Sequence, residues 1–177
     1  MTSIRPFQMT DLFKFNNVNL DVLTETFNMP FYLSYLSQFP EVFTVAEAPD
    51  KSIMGYMLAK SEGVGKLWHG HVSAVTVAPT YRRLGLADAL MKDLESISEN
   101  VYNAFFVDLF VRASNKLAIG MYEKFGYVKY RRVIGYYSGL DDSEDAWDMR
   151  KPLRRDVHRE SIAPLDNPNI LPEDLEW

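Results

Sequence analysis

The stretch from residue 72 to 94 constrains the fold most, because it predicts a strand that leads through an anion-binding turn into a helix. "VSAVTVAP" alternates and ends in a proline, and apolar residues then recur at helical spacing through "LGLADALMKDL". The turn between them carries Arg82, Arg83 and Gly85. A helix start offers unpaired N–H groups and a positive dipole end, and glycine leaves that backbone accessible. The stretch therefore predicts an anion-binding site of the phosphate type.

Strand and helix patterns alternate along the rest of the chain. "EVFTVAEA" and "SIMGYMLAKSEG" flank the turn-forming Pro49-Asp50 and predict a hairpin, which "HGHVSAVTVAP" follows as a third strand. "AFFVDLFV" predicts a buried strand, "NKLAIGMYEKFG" a helix, and "YVKYRRVIGYY" and "AWDMRKPL" two late strands. Two short helices are expected before the hairpin, near Thr10-Asp11 and over "MPFYLSYLSQFP". This order predicts an α+β (α/β) fold with a mixed central sheet of about seven strands and four main helices.

Length and regularity predict one folded domain followed by a tail. A chain of 177 residues is long enough for one domain with a full core. From Arg154 onward the periodic patterns stop, and prolines and acidic residues predominate. We therefore expect a domain over residues 1–153 and an extended C-terminal tail over residues 154–177.

Charge and residue usage exclude several classes of protein. The formal net charge of -5 argues against affinity based on phosphate neutralisation, so direct nucleic-acid binding is not expected. Cysteine is absent, which excludes disulfides, thiolate metal ligands and an acyl-cysteine intermediate. No run of about 18 apolar residues occurs and the N-terminal residues lack a signal-peptide core, so we expect no membrane association and a cytoplasmic protein.

One strand carries polar side chains of chemical interest. In "HGHVSA", His69, His71 and Ser73 share one face under the strand period of two, and one of them is expected to face a substrate. A metal site at the two histidines needs a third ligand that the sequence does not reveal, so no metal is expected. The alternative is that both imidazoles are hydrogen-bonded at the end of a sheet.

Arg82, Gly85 and Ala87 resemble the pyrophosphate-binding motif of the GNAT acetyltransferases, Arg/Gln-x-x-Gly-x-Gly/Ala, and do not fit the other nucleotide-phosphate loops. The resemblance implies that acetyl-CoA binds between two parallel strands that splay apart. Val75 and Val77 would supply backbone contacts to the pantetheine arm, and an N–H near Val75 would bind the acetyl oxygen. The pyrophosphate would be held by the helix start, that is by Arg82, Arg83, Leu84, Gly85, Leu86 and Ala87.

A wider similarity extends over nearly the whole chain. "LTETFNMPFYLSYLSQFPE", "WHGHVSAVTVAP", "RRLGLADALM", "FFVDLFVRASN" and "MYEKFGY" together resemble the catalytic subunits of NatB-type N-terminal acetyltransferases. The resemblance implies transfer of acetyl from acetyl-CoA to the α-amino group of nascent chains beginning Met-Asp, Met-Glu, Met-Asn or Met-Gln. It also implies a heterodimer with a large helical-repeat auxiliary subunit, through which the enzyme associates with the ribosome.

The same resemblance implies a role for each candidate residue. Tyr122 would donate to the departing CoA thiolate, and Asn115 would bind the cofactor or order a water molecule; both would contact the cofactor. His71 and Ser73 would form the pocket for the polar second residue of the substrate. The catalytic residues would be Tyr122, His71, Glu25 and Asn115. The loops at the substrate entrance would add Glu25, Phe27, Met29, Tyr136 and Tyr137, with phenylalanine at position 27 where the family pattern has tyrosine.

The reaction does not require a strong general base. An α-amino group has a pKa of about 7.7 to 8, so a sizeable fraction is neutral, whereas a lysine amine near 10.4 requires a strong base. Direct attack in a ternary complex, with water carrying the proton away, suits a sequence that has only three histidines. The alternatives are a GNAT enzyme for another amine, either an internal lysine or a small molecule, and a non-catalytic acyl-CoA-binding subunit.

The two N-terminal helices are expected to expose apolar surface. Their large apolar residues exceed what one small sheet can cover, and part of this surface is expected to contact the auxiliary subunit. The residues concerned are Leu12, Phe13, Phe15, Tyr32, Tyr35 and Leu36.

Overall fold

The computed structural model describes residues 2–21, 24–138 and 143–175. The chain divides into two compact units, the first formed by Met1–Lys60 with Val72–Ile97 and the second by Ser61–His71 with Ser98–Trp177. In the part of the chain that is described, no helix combines the length and apolarity needed to span a bilayer.

The elements follow the order expected from the sequence. Before the first long helix they are β1 Ser3–Pro6, α1 Asn16–Asn19, α2 Met29–Gln38, β2 Phe43–Glu47, β3 Ile53–Glu62 and β4 His69–Val77. From that helix onward they are α3 Leu86–Asn100, β5 Phe106–Arg112, α4 Lys116–Lys124, β6 Val128–Ser138, β7 Ser143–Pro152 and β8 Asn169–Ile170. The boundaries between the two units fall within β3, β4 and α3.

The first unit is built on the predicted hairpin. Strand β2 pairs antiparallel with both β1 and β3, which confirms the hairpin around Pro49-Asp50. Helix α2 begins as expected with Pro30 in its first turn, and the Asn28 side chain caps it by accepting from the Phe31 N–H at 3.0 Å. Helix α3 buries a stripe of apolar side chains, which consists of Leu86, Leu90, Met91 and Leu94.

The N-terminal apolar residues form this core rather than an external surface. The rings of Phe7, just after β1, Phe43 on β2 and Tyr56 on β3 contact one another. The rings of Phe15 and Tyr32 pack against them. Most of the residues expected to contact a partner are therefore accounted for: Leu12, Phe15, Tyr32 and Tyr35 are buried, and Leu36 packs against the same cluster. That expectation was wrong for the four buried residues, because the short helices lie on their own sheet, and for the half-buried Leu36 it stays a prediction. Phe13 alone among the six is highly exposed, at 80%.

The second unit contains the mixed part of the sheet. Strand β7 pairs antiparallel with β5 and with β6, and β8 pairs parallel with β6 through Arg132 opposite Asn169 and Val133 opposite Ile170. The expected mixed α/β fold with four helices is confirmed, with eight strands among the described residues in place of about seven. The additional strand, β8, lies in the segment that was expected to form an extended tail.

Candidate functional site

The start of α3 has the backbone geometry of an exposed anion-binding turn. Arg83 and Gly85 both have positive φ, at 67° and 78°, so the chain makes two left-handed steps before the helix begins at Leu86. A Cβ built on Gly85 would meet nothing within 4 Å and would project into open space. Residues 82–85 are exposed and lead directly into the buried Leu86, so the turn that precedes the helix lies at the surface. Ala87, the second residue of the helix, is half-buried.

Arg82 is held by the protein itself. Its Nε donates to the Val77 carbonyl at 3.2 Å, and its Nη2 pairs with the Asp21 carboxylate. These contacts tie the turn to the end of β4 and orient the guanidinium beside the helix start. Asp21 was not among the residues that sequence reasoning selected, because no local pattern relates positions 61 residues apart.

The β4 residues next to this turn are positioned for main-chain contacts. Val75 and Val77 are half-buried on one side of the strand, and Thr76 between them is buried, with its hydroxyl 2.8 Å from that of Thr24. The predicted backbone roles of Val75 and Val77 do not depend on their side chains. These roles, and the splay of parallel strands beside them, stay predictions.

Ser73 has a fixed partner. The hydroxyls of Ser73 and Tyr35 lie 2.6 Å apart, so the buried tyrosine on α2 sets the orientation of the Ser73 hydroxyl. Sequence reasoning assigned Tyr35 to an external surface and missed this contact. Its position on the face of α2 that holds Tyr32 was the available signal.

The loop between α1 and α2 carries the other predicted substrate residues of the first unit. Phe27 stacks on Phe31 with ring centroids 4.3 Å apart and meets Tyr32 edge-on at 5.9 Å. The phenylalanine ring at position 27 therefore packs against two neighbouring aromatic rings. Glu25 is exposed in the loop, and Met29 is exposed as the first residue of α2.

In the second unit, a buried polar cluster surrounds the two strand histidines. His71 Nδ1 lies 2.8 Å from Asp108 Oδ1, and His69 Nε2 lies 3.5 Å from the same oxygen. Glu62 Oε1 lies 3.7 Å from His69 Nε2 and 3.9 Å from His71 Nδ1. The ring of His69 stacks on Phe106 at 4.7 Å, and its Nδ1 lies 2.5 Å from the Leu67 carbonyl. Both imidazoles thus have carboxylate partners inside the unit.

The charges of this cluster are coupled. Burial raises the pKa of the Asp108 carboxyl, but the facing imidazoles of His71 and His69 together with Arg150 lower that pKa to about 2. Burial lowers the pKa of His69, and the charges of Asp108 and Glu62 outweigh it, so the net direction is upward. The cluster therefore favours a cationic imidazole beside an ionised buried carboxylate.

The third potential metal ligand that the sequence did not reveal is Glu62. Ligand atoms of Glu62, His69 and His71 lie within 4.8 Å of one another. However, His71 Nδ1 is hydrogen-bonded to Asp108, and His69 Nδ1 to a backbone carbonyl. These protein partners favour a hydrogen-bonded cluster, and we assign no metal to it.

Asn115 lies at the start of α4 rather than on its face. It is the N-cap residue, and its side-chain oxygen accepts from the Ala118 N–H at 3.0 Å. This cap hydrogen bond turns the Asn115 side chain back to the end of the helix. The role of Asn115 toward the cofactor or a water molecule stays a prediction.

Tyr122 is buried on α4 in an aromatic setting. Its ring lies edge-on to Phe125 and Tyr127 at centroid distances of 6.4 and 6.1 Å. Burial raises the pKa of its phenol well above the ordinary value, so the hydroxyl remains protonated at physiological pH. Tyr122 can therefore act as a hydrogen-bond donor and is unsuited to act as a base.

The ring of Phe110 lies next to both His71 on β4 and Tyr136 on β6. Phe110 lies 5.6 Å from His71 and 4.7 Å from Tyr136, centroid to centroid. The Tyr137 hydroxyl donates to the Phe110 carbonyl at 3.3 Å, and Arg112 lies 4.1 Å over the Tyr137 ring. Phe110, which sequence reasoning placed only in a buried strand, thus links His71 to the tyrosine pair.

Comparisons with known proteins show the family of the chain. Residues 9–127 match the model of the Acetyltransferase (GNAT) family. The chain is 58% identical over 177 residues to an Arabidopsis thaliana protein named N-terminal acetyltransferase B complex catalytic subunit NAA20, with 100% of this chain and 99% of the relative covered.

Two solved structures of NatB complexes contain chains similar to this one. A structure of the NatB acetyltransferase complex bound to a bisubstrate inhibitor contains a chain 45% identical to this one, with a TM-score of 0.86 and 99% of both chains covered. A structure of the NatB complex bound to CoA and MES contains a chain 51% identical, with a TM-score of 0.78 and coverage of 85% of this chain and 99% of that one.

Proposed function

Because the chain belongs to the acetyltransferase (GNAT) family, we propose that it transfers acetyl from acetyl-CoA to protein N-termini, as the catalytic subunit of a NatB-type complex. The observation that carries the proposal is full-length similarity to a NatB catalytic subunit in a chain that keeps the open, glycine-containing start of α3. The substrates are chains whose N-termini begin Met-Asp, Met-Glu, Met-Asn or Met-Gln.

The helix start accounts for recognition of the co-substrate. The pyrophosphate of acetyl-CoA is doubly anionic, and the N–H groups at the start of α3 present hydrogen-bond donors at the positive end of a helix dipole. Arg82 and Arg83 add positive charge at the edge of this turn. A small residue at Ala87 keeps the first turn narrow, so the phosphates can approach the backbone.

The amine attacks the thioester directly. The ammonium first loses a proton to water or to an exposed carboxylate such as that of Glu25, and the neutral amine then forms a bond to the acetyl carbon. The C–S bond breaks, and the second proton leaves the nitrogen and passes, directly or through water, to the thiolate of CoA. Because the Tyr122 phenol holds its proton tightly, it stabilises the thiolate by donating a hydrogen bond more than by full proton transfer.

Tyr122→Phe tests that role. The variant is expected to lower kcat by about 10- to 150-fold, the value of a hydrogen bond to a charged group, with little change in either Michaelis constant. Steady-state kinetics against a Met-Asp peptide measure the effect. Tyr130→Phe, on a half-buried tyrosine that stacks against Arg150 outside the candidate residues, is the matched control and should stay near wild type. A change confined to peptide affinity would make Tyr122 a binding residue.

A partner subunit completes the enzyme. NatB is a complex in the relatives described above, and we propose that this chain pairs with a large helical-repeat auxiliary subunit that brings it to the ribosome. Exposed apolar side chains near the N-terminus suit such a contact, notably Phe13 at 80% and Leu20 at 85% exposure. Full activity of the chain expressed alone, together with unchanged solubility in a Phe13→Ser, Leu20→Ser variant, would argue against a partner at this surface.

The experiment that tests the function is a peptide panel. Synthetic peptides that differ only in their first two residues are incubated with acetyl-CoA and the purified chain, with and without a candidate auxiliary subunit, and release of CoA is measured. Met-Asp, Met-Glu, Met-Asn and Met-Gln peptides should react, whereas Ser-Ala, Met-Leu and internal-lysine peptides should not. Acetylation of lysine in preference to any N-terminus would replace the proposal with an enzyme for another amine, and no CoA release from any peptide would favour a non-catalytic subunit.

A further inference from the structure

Asp108 is the one carboxylate of strand β5, in which all other residues before Arg112 are apolar. It is 3% exposed, and its Oδ1 lies 2.8 Å from His71 Nδ1 and 3.5 Å from His69 Nε2. A buried carboxylate accepts hydrogen bonds, so the hydrogen on His71 Nδ1 donates to it. A buried charge in this position is costly unless it is paired, and the two imidazoles are its nearest partners.

This contact determines what the other ring nitrogen of His71 can do. With a hydrogen held on Nδ1, the neutral ring has a bare Nε2 that only accepts hydrogen bonds, and the cationic ring has an Nε2–H that only donates. Through Nε2, a histidine held in this way donates to a substrate carboxylate only when the ring is cationic. In the neutral ring, the lone pair on Nε2 repels a substrate carboxylate and accepts from an amide N–H.

The charged groups around the ring come from four strands. Asp108 on β5 faces His71, and the Glu62 carboxylate on β3 lies 3.9 Å from His71 Nδ1. His69 lies on β4 together with His71, and the centroids of the two rings are 6.4 Å apart. On β7, Arg150 favours the ionised form of Asp108, and Asp148 also interacts with Asp108 electrostatically. The carboxylates of Asp108 and Glu62 raise the pKa of His69 against the effect of its burial.

We propose that Asp108 is a positioning residue that acts through His71 and makes the preference for the second substrate residue depend on pH. By holding the hydrogen on Nδ1, Asp108 directs Nε2 toward the second side chain, where the cationic ring selects Asp and Glu and the neutral ring selects Asn and Gln. This proposal rests on the proposed function, since it assumes that His71 meets the second residue of the substrate.

The first test uses the unmodified protein. The ratio of kcat/KM for Met-Asp and Met-Asn peptides is measured from pH 5.5 to 9, with the auxiliary subunit if activity requires it. Titration of the substrate α-amino group cancels in this ratio, because both peptides share it. We expect the ratio to fall by about tenfold or more as pH rises, since a charge-assisted bond to the carboxylate is replaced by a repulsion. A ratio that does not change with pH overturns the proposal.

The second test removes the charge of Asp108 and keeps its shape. In Asp108→Asn the pH dependence of the ratio and its midpoint should change, because the amide can donate as well as accept and no longer holds the hydrogen of His71 on Nδ1. Asp156→Asn is the matched control: Asp156 is also a buried carboxylate of this unit, but it accepts from Ser161 and the Glu160 backbone, so the midpoint should not move. An unchanged midpoint in Asp108→Asn assigns the carboxylate a structural role only.

A spectroscopic measurement keeps the proposal testable if Asp108→Asn does not fold. Nitrogen-15 NMR of the histidine side chains in the wild-type chain distinguishes the two neutral tautomers of His71 without any substrate. The proposal requires the Nδ1–H form above the titration midpoint, and a dominant Nε2–H form overturns it. If the peptide panel shows no N-terminal acetylation while His71 has the Nδ1–H tautomer, the proposed function fails and the Asp108–His71 geometry stands.

Discussion

Replacement of Gly85 by valine is expected to abolish acetyl-CoA binding. Gly85 has φ +78°, a backbone conformation that a β-branched residue adopts only with strain, and its missing side chain leaves the approach to the start of α3 open. Loss of about two hydrogen bonds from backbone N–H groups to a charged pyrophosphate, at about 1.5 to 3 kcal/mol each, corresponds to affinity weaker by roughly 100-fold or more. Isothermal titration with acetyl-CoA measures the effect.

A second glycine serves as a control that distinguishes the effect of backbone strain from the loss of the phosphate site. Gly65 also has positive φ, at 60°, and a Cβ there would likewise meet nothing within 4 Å, but it lies between β3 and β4, outside the turn at residues 82–85. Gly65→Val should therefore carry a similar backbone strain and leave acetyl-CoA affinity unchanged, with thermal melting used to compare the two variants. Unchanged affinity in a folded Gly85→Val protein would remove the phosphate assignment.

The second large effect concerns substrate choice. If His71 and Ser73 donate to the oxygen of the second side chain, wild-type enzyme should prefer Met-Asp over Met-Leu peptides strongly, because leucine leaves buried donors unpaired. Each such group costs about 1 to 3 kcal/mol, or roughly 5- to 150-fold in kcat/KM, and two groups together give more. The double variant His71→Ala, Ser73→Ala should lose most of this selectivity while acetyl-CoA affinity stays unchanged.

The structure supplies controls for this experiment. His158 is exposed in the C-terminal segment, so His158→Ala tests the loss of a histidine as such and should keep the selectivity. Tyr35→Phe removes only the partner of the Ser73 hydroxyl, and a partial loss of selectivity there would show that the orientation of this hydroxyl matters. Selectivity that survives the double variant would place its determinant at the loops around Glu25 or Tyr137, and little selectivity in the wild type would remove the NatB-type assignment.

Local pattern was enough for the elements of this fold. The hairpin around Pro49-Asp50, the strand that contains His69 and His71, and the helix that follows Gly85 are all present, because alternation, helical spacing and turn residues act over a few neighbouring positions. The resemblance to GNAT acetyltransferases and NatB catalytic subunits is confirmed for the same reason: the motif around Arg82 and Gly85 is contiguous in sequence.

The sequence by itself thus determined the family, the order of elements and the type of residue at the helix start. The tertiary structure decided which partners these residues have: Asp108 for His71, Tyr35 for Ser73 and Asp21 for Arg82. It also decided that the aromatic residues of the N-terminal helices are core, because burial depends on which surfaces pack together. The residues of these three pairs are separated by 37, 38 and 61 positions in the sequence. Their contacts arise only when the chain has folded, and no periodicity in the sequence encodes them.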